Sequence, residues 1–272
     1  MSVGHGIGLR PQHYTDLLRD GPRGVGWLEA ISENYFTPGG RPWVVLERVR
    51  RDVPIVLHGV SMGIGNADPI SEAYLRALEK VIERVEPAWI SDHLCWGGSA
   101  GKYAHDLLPL PYTRAMLEHV VSRVSYVQER LGRRLLLENV SAYLAFVESD
   151  LAECDVLNEI ASRTGCGLLV DVNNVVVCAK NLGIDAEAYI DAIDPRFVGQ
   201  MHLSGHTPQG DFAIDSHVGP IPDVVWALYR RAVQRFGRTP TLVEWDEDVP
   251  VYDRVVAEAT LASRIESEVL DG

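Results

Sequence analysis

Four histidines, four carboxylates and one asparagine stand where short apolar runs give way to polar residues. His58 closes IVLH, His93 closes WISDH, Glu138 closes RLLLE, Asp171 and Asn173 close GLLVDVN, His202 lies in MHLS and Glu244 closes TLVE. Asp215 and His217 share the stretch IDSHVG. Imidazole and carboxylate ligands suit iron, manganese or zinc better than calcium or magnesium. No Lys or Arg occupies the late positions of the runs that carry these residues. Carboxylates concentrated without cations repel one another unless they are protonated or bound to metal. One ion takes about four to six ligands. Nine candidates exceed that, and two or three ions fit them better. An Asp-x-His pair on an extended segment points both side chains one way, because the strand period is two. The same reasoning pairs Asp171 with Asn173, with Asn174 as the other choice. Cys95 and Cys178 lie past the run ends, so a thiolate-rich site is not expected.

Eight runs read as strands, over residues 7–10, 27–32, 55–60, 89–94, 134–140, 167–173, 197–204 and 241–246. Several are near-continuous apolar runs, the pattern of parallel strands covered on both faces. Helical periodicity fills residues 71–85, 112–131, 151–163, 186–193, 223–236 and 251–269, with Ser71 placed to cap the first of these. The segments after the first two strands are shorter. This alternation predicts an α/β fold, a (β/α)8 TIM barrel, as one domain over residues 1–272. A doubly wound sheet is the structural alternative, but no GxGxxG follows the first strand. In a barrel the strand ends converge on one rim, where the active sites of such enzymes sit. Residues far apart in sequence thereby become neighbours. Glu29, Glu33 and Asn34 near the second strand end, and Asp92, Asn139 and Asp246, share that rim. His5, His13, His105, His119 and His206 have weaker claims, and His119 falls in mid-helix.

The chain carries 25 Lys and Arg against 38 Asp and Glu, a net charge of −13. A nucleic-acid binder needs a basic face, so that class is disfavoured. Cys95, Cys154, Cys166 and Cys178 form no CxxC pair, which points to a reduced, cytoplasmic protein. Residues 1–10 hold no basic region followed by an apolar stretch, so no signal peptide is expected. No run of about 18 apolar residues predicts a membrane span.

LHGVSMGIG, SDHLCW, LLLENVSAY, LLVDVNNVVV, MHLSGH, IDSHVG and LVEWD, in that order, resemble the multinuclear non-haem iron-dependent oxidative enzymes, once catalogued as a domain of unknown function. The resemblance runs from GIGLR to VEWD, and SENYF at residues 32–36 also fits. It implies a barrel of the xylose-isomerase-like kind holding two or three irons, as Fe2+ and Fe3+. It also implies oxygen-dependent modification of a ribosomally made precursor peptide, often at cysteine and in other members at residues such as aspartate. Carried over by motif, His58, His93 and Glu138 hold one iron. Glu138 bridges to a second, held also by Asp171, His202 and Glu244. Asn173, Asp215 and His217 hold a third. Glu138, Asp171 and His202 then stand at the catalytic centre. No separate organic cofactor is implied. A small partner protein for the leader peptide is a further implication.

Two other classes share such a rim. A divalent-metal sugar isomerase or epimerase, or a multi-zinc phosphodiesterase, uses the same residue types, and fold alone does not decide. An isomerase wants a basic residue near the substrate oxygens, and the rim offers few. A phosphodiesterase acting on DNA wants a basic track. The third class is a non-catalytic metal-binding subunit of a maturation complex.

Overall fold

The short apolar runs have no polar side to give to water, and the fold covers both of their faces. The computed structural model describes residues 4–272. Residues 1–3, the start of the stretch read for a targeting signal, lie outside it. Eight parallel strands close a barrel: His5–Gly8, Trp27–Ile31, Ile55–His58, Ile90–His93, Leu135–Glu138, Gly167–Asp171, Val198–Leu203 and Thr241–Val243. Each pairs with the next, and the eighth pairs with the first. The architecture is the (β/α)8 barrel that the alternation predicted.

Helices Tyr14–Asp20, Gly40–Val49, Glu72–Val85, Arg114–Leu131, Glu153–Thr164, Val172–Leu182, Ala186–Ala192, Asp223–Phe236 and Tyr252–Asp271 connect the strands. Their apolar stripes pack on the outer faces of the barrel in one continuous core. Ser71 caps Glu72–Val85 through the Tyr74 N–H, as expected.

Two departures concern the rim. The sixth strand stops at Asp171 and does not extend to Asn173. Asp171 instead caps helix Val172–Leu182 by accepting the Asn174 N–H at 2.7 Å. The β-branched run after it favours a strand by propensity, but burial of Val172, Val175 and Val177 within the helix overrides that preference. Cys178 therefore sits in a helix, not in a loop. Two hairpins also stand beyond the strand ends, Trp96–Ser99 with Lys102–Leu108 and Thr207–Gln209 with Phe212–Ile214. Residues 102–106 are exposed, so no apolar alternation marks the first hairpin.

The barrel interior is layered by the strand period of two. Trp27, Val56 and Leu242 form an apolar plug, packed against Trp89. Two residues further along the same strands come Glu29, His58 and Glu244, and all three are buried. Gln200 and His202 repeat the step on the seventh strand. Among the described residues no helix is long and apolar enough to cross a membrane.

Glu153 ties the exit of the fifth strand to its surroundings. Its carboxyl accepts from the hydroxyls of Tyr112 at 2.5 Å and Tyr189 at 3.0 Å. Burial pushes its pKa from 4.5 up to about 7, against the opposing pull of the two hydroxyls and the Val140 backbone. The folded protein thus holds this proton more tightly than the unfolded chain. The resulting stabilisation is complete below pH 4.5 and is lost as pH rises through about 7. Urea unfolding at about pH 5 and pH 8 should show Glu153→Gln losing less stability over this interval than the parent, by on the order of 3 kcal/mol. Equal losses in the two proteins would contradict this account of Glu153.

Candidate metal centre

At the carboxyl ends of the strands, His58 Nε2 and His93 Nε2 each lie 3.3 Å from Glu138 Oε2. His202 Nδ1 lies 3.5 Å from the other oxygen of Glu138 and 3.1 Å from Glu244 Oε2. Glu244 Oε2 is also 3.4 Å from His217 Nδ1, and His217 Nε2 is 2.9 Å from Asp215 Oδ1. Four overlapping triads could each hold an ion: His58–His93–Glu138, Glu138–Asp171–His202, Glu29–His202–Glu244 and Asp171–His217–Glu244. Ligand atoms bound to one ion at about 2.1 Å stand roughly 3.0–3.4 Å apart. The observed spacings fall in or close to that range.

The imidazoles are held from behind. His58 Nδ1–H donates to Ser91 Oγ at 2.8 Å, and His93 Nδ1–H donates to the Gly59 carbonyl at 3.0 Å. Both leave Nε2 free to face Glu138. His202 is turned the other way: its Nε2–H donates to Glu29 Oε2 at 3.2 Å, and Nδ1 faces the cluster. Glu29 is itself fixed by Gln200 Nε2 at 2.7 Å. A carboxylate, carbonyl or hydroxyl behind a ligating histidine sets its tautomer and raises its basicity.

Several buried atoms in this cluster have no hydrogen-bond partner: Glu138 Oε2, Asp171 Oδ2, His202 Nδ1 and His217 Nε2. A buried polar atom left unpaired costs about 1–3 kcal/mol, more when charged. Lone pairs that point at a common space fit bound cations, and this donor set fits iron, manganese or zinc. Charge within the cluster shows the same need. Burial raises the Glu138 pKa, but His93, His202 and His58 outweigh it and take it down to about 2. Burial and the charge of Glu138 push Asp171 well up. Burial would lower His202, but Glu29, Glu138 and Glu244 drive it well up. Both shifts express an excess of buried negative charge that bound cations would balance.

The residues named from sequence are brought together as a group. Asn173 arrives by a different route from the one expected. It lies in the first turn of helix Val172–Leu182, not two steps along a strand from Asp171. Its side chain donates to Asp215 Oδ1 at 2.9 Å and accepts from His206 Nδ1 at 2.7 Å. Asn174 turns away, donating to the Asn139 carbonyl. Asp215 and His217 do face each other, but His217 has φ 47°, a left-handed turn rather than an extended strand. Asp92 points behind the cluster: its carboxyl accepts the His93 N–H at 2.8 Å, and burial lifts its pKa to about 7. His119 bonds the Asn66 carbonyl, away from the cluster.

The residues left out of the candidate set are those behind the ligands, namely Glu29, Ser91, Arg10 and Asp246. A signal for Glu29 was present, since it shares the inward face with Trp27 two residues earlier. Above the cluster lies a cavity of about 260 Å³. His93, Asp215 and His217 floor it, and Asp106, Leu107, Ser141, Tyr143 and Glu247 line it, with no lysine or arginine.

Residues 4–267 match the model of a family described as the RiPP precursor modification enzyme MbnB/TglH/ChrH. The chain is 54% identical over 268 residues to a UPF0276 protein of Anaeromyxobacter sp., covering 98% of this chain and 94% of that one. It is 47% identical over 259 residues to a UPF0276 protein of Acaryochloris marina, covering 95% and 93%. Among solved structures, a D-psicose 3-epimerase in the presence of D-fructose superimposes with a TM-score of 0.62 at 10% identity, covering 99% of this chain and 100% of that one. The D-psicose 3-epimerase of Clostridium cellulolyticum H10 gives 0.59 at 13% identity, covering 98% and 97%. These two likenesses show the fold alone, a (β/α)8 barrel.

If the cluster holds metal, Glu138→Gln or His202→Ala should lower metal affinity at least tenfold, while His119→Ala should leave it unchanged. Elemental analysis after anaerobic purification checks this. A full metal complement in the first two variants would contradict the assignment.

Proposed function

The chain belongs to the RiPP precursor modification enzyme family MbnB/TglH/ChrH, and from that premise we propose that it is a multinuclear non-haem iron enzyme that oxidises a cysteine of a ribosomally synthesised precursor peptide with O2. The single observation that carries this reading is the shared ligand set. Glu138, Asp171, His202 and Glu244 each belong to two of the four overlapping triads, which suits two or three adjacent ions better than one. His58, His93 and Glu138 make a two-histidine, one-carboxylate set, which leaves coordination positions open at iron. When bound, iron supplies the redox chemistry by which O2, the terminal oxidant, removes hydrogen from a substrate C–H bond.

The protein's own residues do the rest. Glu138, fully buried between three imidazoles, turns one oxygen to His58 and His93 and the other to His202, and would be shared by two ions. Glu29, Ser91 and the Gly59 carbonyl keep His202, His58 and His93 aimed. His93, Asp215 and His217 face the cavity, so a side chain entering it meets the cluster there. Leu107 and Tyr143 line that entrance. A soft thiolate is a good ligand for iron. A precursor peptide is the substrate, a small leader-binding protein is the expected partner, and the cytoplasm is the expected compartment.

A sugar epimerase is the other reading that the barrel allows. The absence of lysine and arginine from the cavity lining gives it no cationic group for substrate oxygens. The test is an oxygen electrode and a mass spectrometer. Iron-loaded protein should consume O2 and change the mass of a cysteine-containing precursor peptide encoded beside its gene. A Cys→Ser version of that peptide should do neither. Epimerisation of a ketohexose with no O2 uptake would contradict the proposal.

A further inference from the structure

Arg10 and Asp246 have no part in holding metal directly, yet they converge on His217. Arg10 follows the first strand and Asp246 follows the eighth, so they meet at the seam where the barrel closes. Arg10 Nη2 donates to Asp246 Oδ1 and lies 3.4 Å from Glu244 Oε1. Asp246 then grips His217 twice. Its backbone N–H donates to the His217 carbonyl at 3.0 Å, and its Oδ2 accepts from His217 Nδ1 at 3.0 Å. The second bond leaves His217 Nε2 turned toward Asp215 Oδ1 at 2.9 Å.

His217 needs such a grip. Its φ of 47° lies in the left-handed region, costly for a residue with a Cβ and kept only where the surroundings over-determine it. Gly205 packs directly against the Val218 carbonyl, leaving no room there for a side chain. His217 and Asp215 are also the most solvent-accessible of the nine candidate ligands outside the deep group, at 15% and 13% exposure against 0–2% for His202, Glu138 and His58. An ion held by them would be the outermost.

We propose that Arg10 and Asp246 form a positioning clamp on His217 that sets how tightly the outermost ion of the centre is held. The clamp rests on the metal-centre reading and adds to it. Arg10 spends its charge on Asp246 and Glu244, so it is a positioning residue and not a substrate-binding cation. By engaging one oxygen of Asp246 it keeps that carboxylate behind His217. Without it, Asp246 is free to compete as a ligand.

The test is an anaerobic Fe2+ titration of the full chain, followed by Mössbauer spectroscopy, on the parent, Arg10→Gln, Asp246→Asn and Arg10→Lys. In the first two variants the weakest-held iron should lose affinity on the order of tenfold or more, and one spectral component should fall while the others stay. Arg10→Lys, which keeps the charge, should recover part of the loss. Parent-like affinity for every ion in both Arg10→Gln and Asp246→Asn would overturn the clamp alone. So would equal loss of all ions, which marks general disruption and not positioning. A parent that takes up no iron would overturn the metal reading and the clamp with it. Asp246→Asn keeps the backbone bond to His217, so it still reports if Arg10→Gln fails to fold.

Discussion

Four buried carboxylates, Glu29, Glu138, Asp171 and Glu244, share one end of a barrel with His58, His93 and His202, and among the described residues the only Lys or Arg paired with any of them is Arg10, at Glu244. Removing such charges from water costs several kcal/mol each even after relaxation, unless opposite charge sits close by. Within the protein the imidazoles meet part of that demand, and four inward-facing atoms stay unpaired. Cations meet the demand more fully. This electrostatic need is the constraint around which the upper half of the barrel is organised.

The rest of the fold serves it in layers. The Trp27–Val56–Leu242 plug fills the lower barrel, so the polar layer sits on a rigid apolar floor and not over a water-filled pore. Gln200 and Glu29 form the step between floor and cluster: Gln200 Nε2 donates to Glu29, which accepts from His202 Nε2–H. Outside the barrel, Glu153 joins Tyr112 and Tyr189 to the Val140 backbone just past the fifth strand. Asp171 works twice, as cap of helix Val172–Leu182 through Oδ1 and as cluster member through its unpaired Oδ2. Local structure and site chemistry thus meet in one carboxylate. The outer part, His217 with Asp215, rests on a strained turn and bonds from distant strands, and is the more exposed.

Much of this was legible in the sequence, for a physical reason. Parallel strands buried on both sides must be apolar almost throughout, so a His or Glu at the end of such a run stands out. Barrel topology then brings His58, His93, Glu138, His202 and Glu244 together without any structural calculation. Less visible was whatever depends on pairing between strands. Ser91 behind His58 and Arg10 beside Asp246 follow from register, which composition does not carry. Helix Val172–Leu182 was obscured by its β-branched residues, and Asn173 was placed near the site by an argument from alternation that the helix replaces. The left-handed turn falls on His217 itself, and only Gly219, two residues on, hinted at it.

The account stands most directly on where metal sits. Anomalous diffraction at the iron edge, from crystals grown without oxygen in iron-supplemented medium, would locate each ion. The account predicts two or three peaks inside the box bounded by His58, Glu138, Asp171, His202, His217 and Glu244, with Glu138 between two of them. A single ion bound away from Glu138, or no iron at these residues, would contradict it.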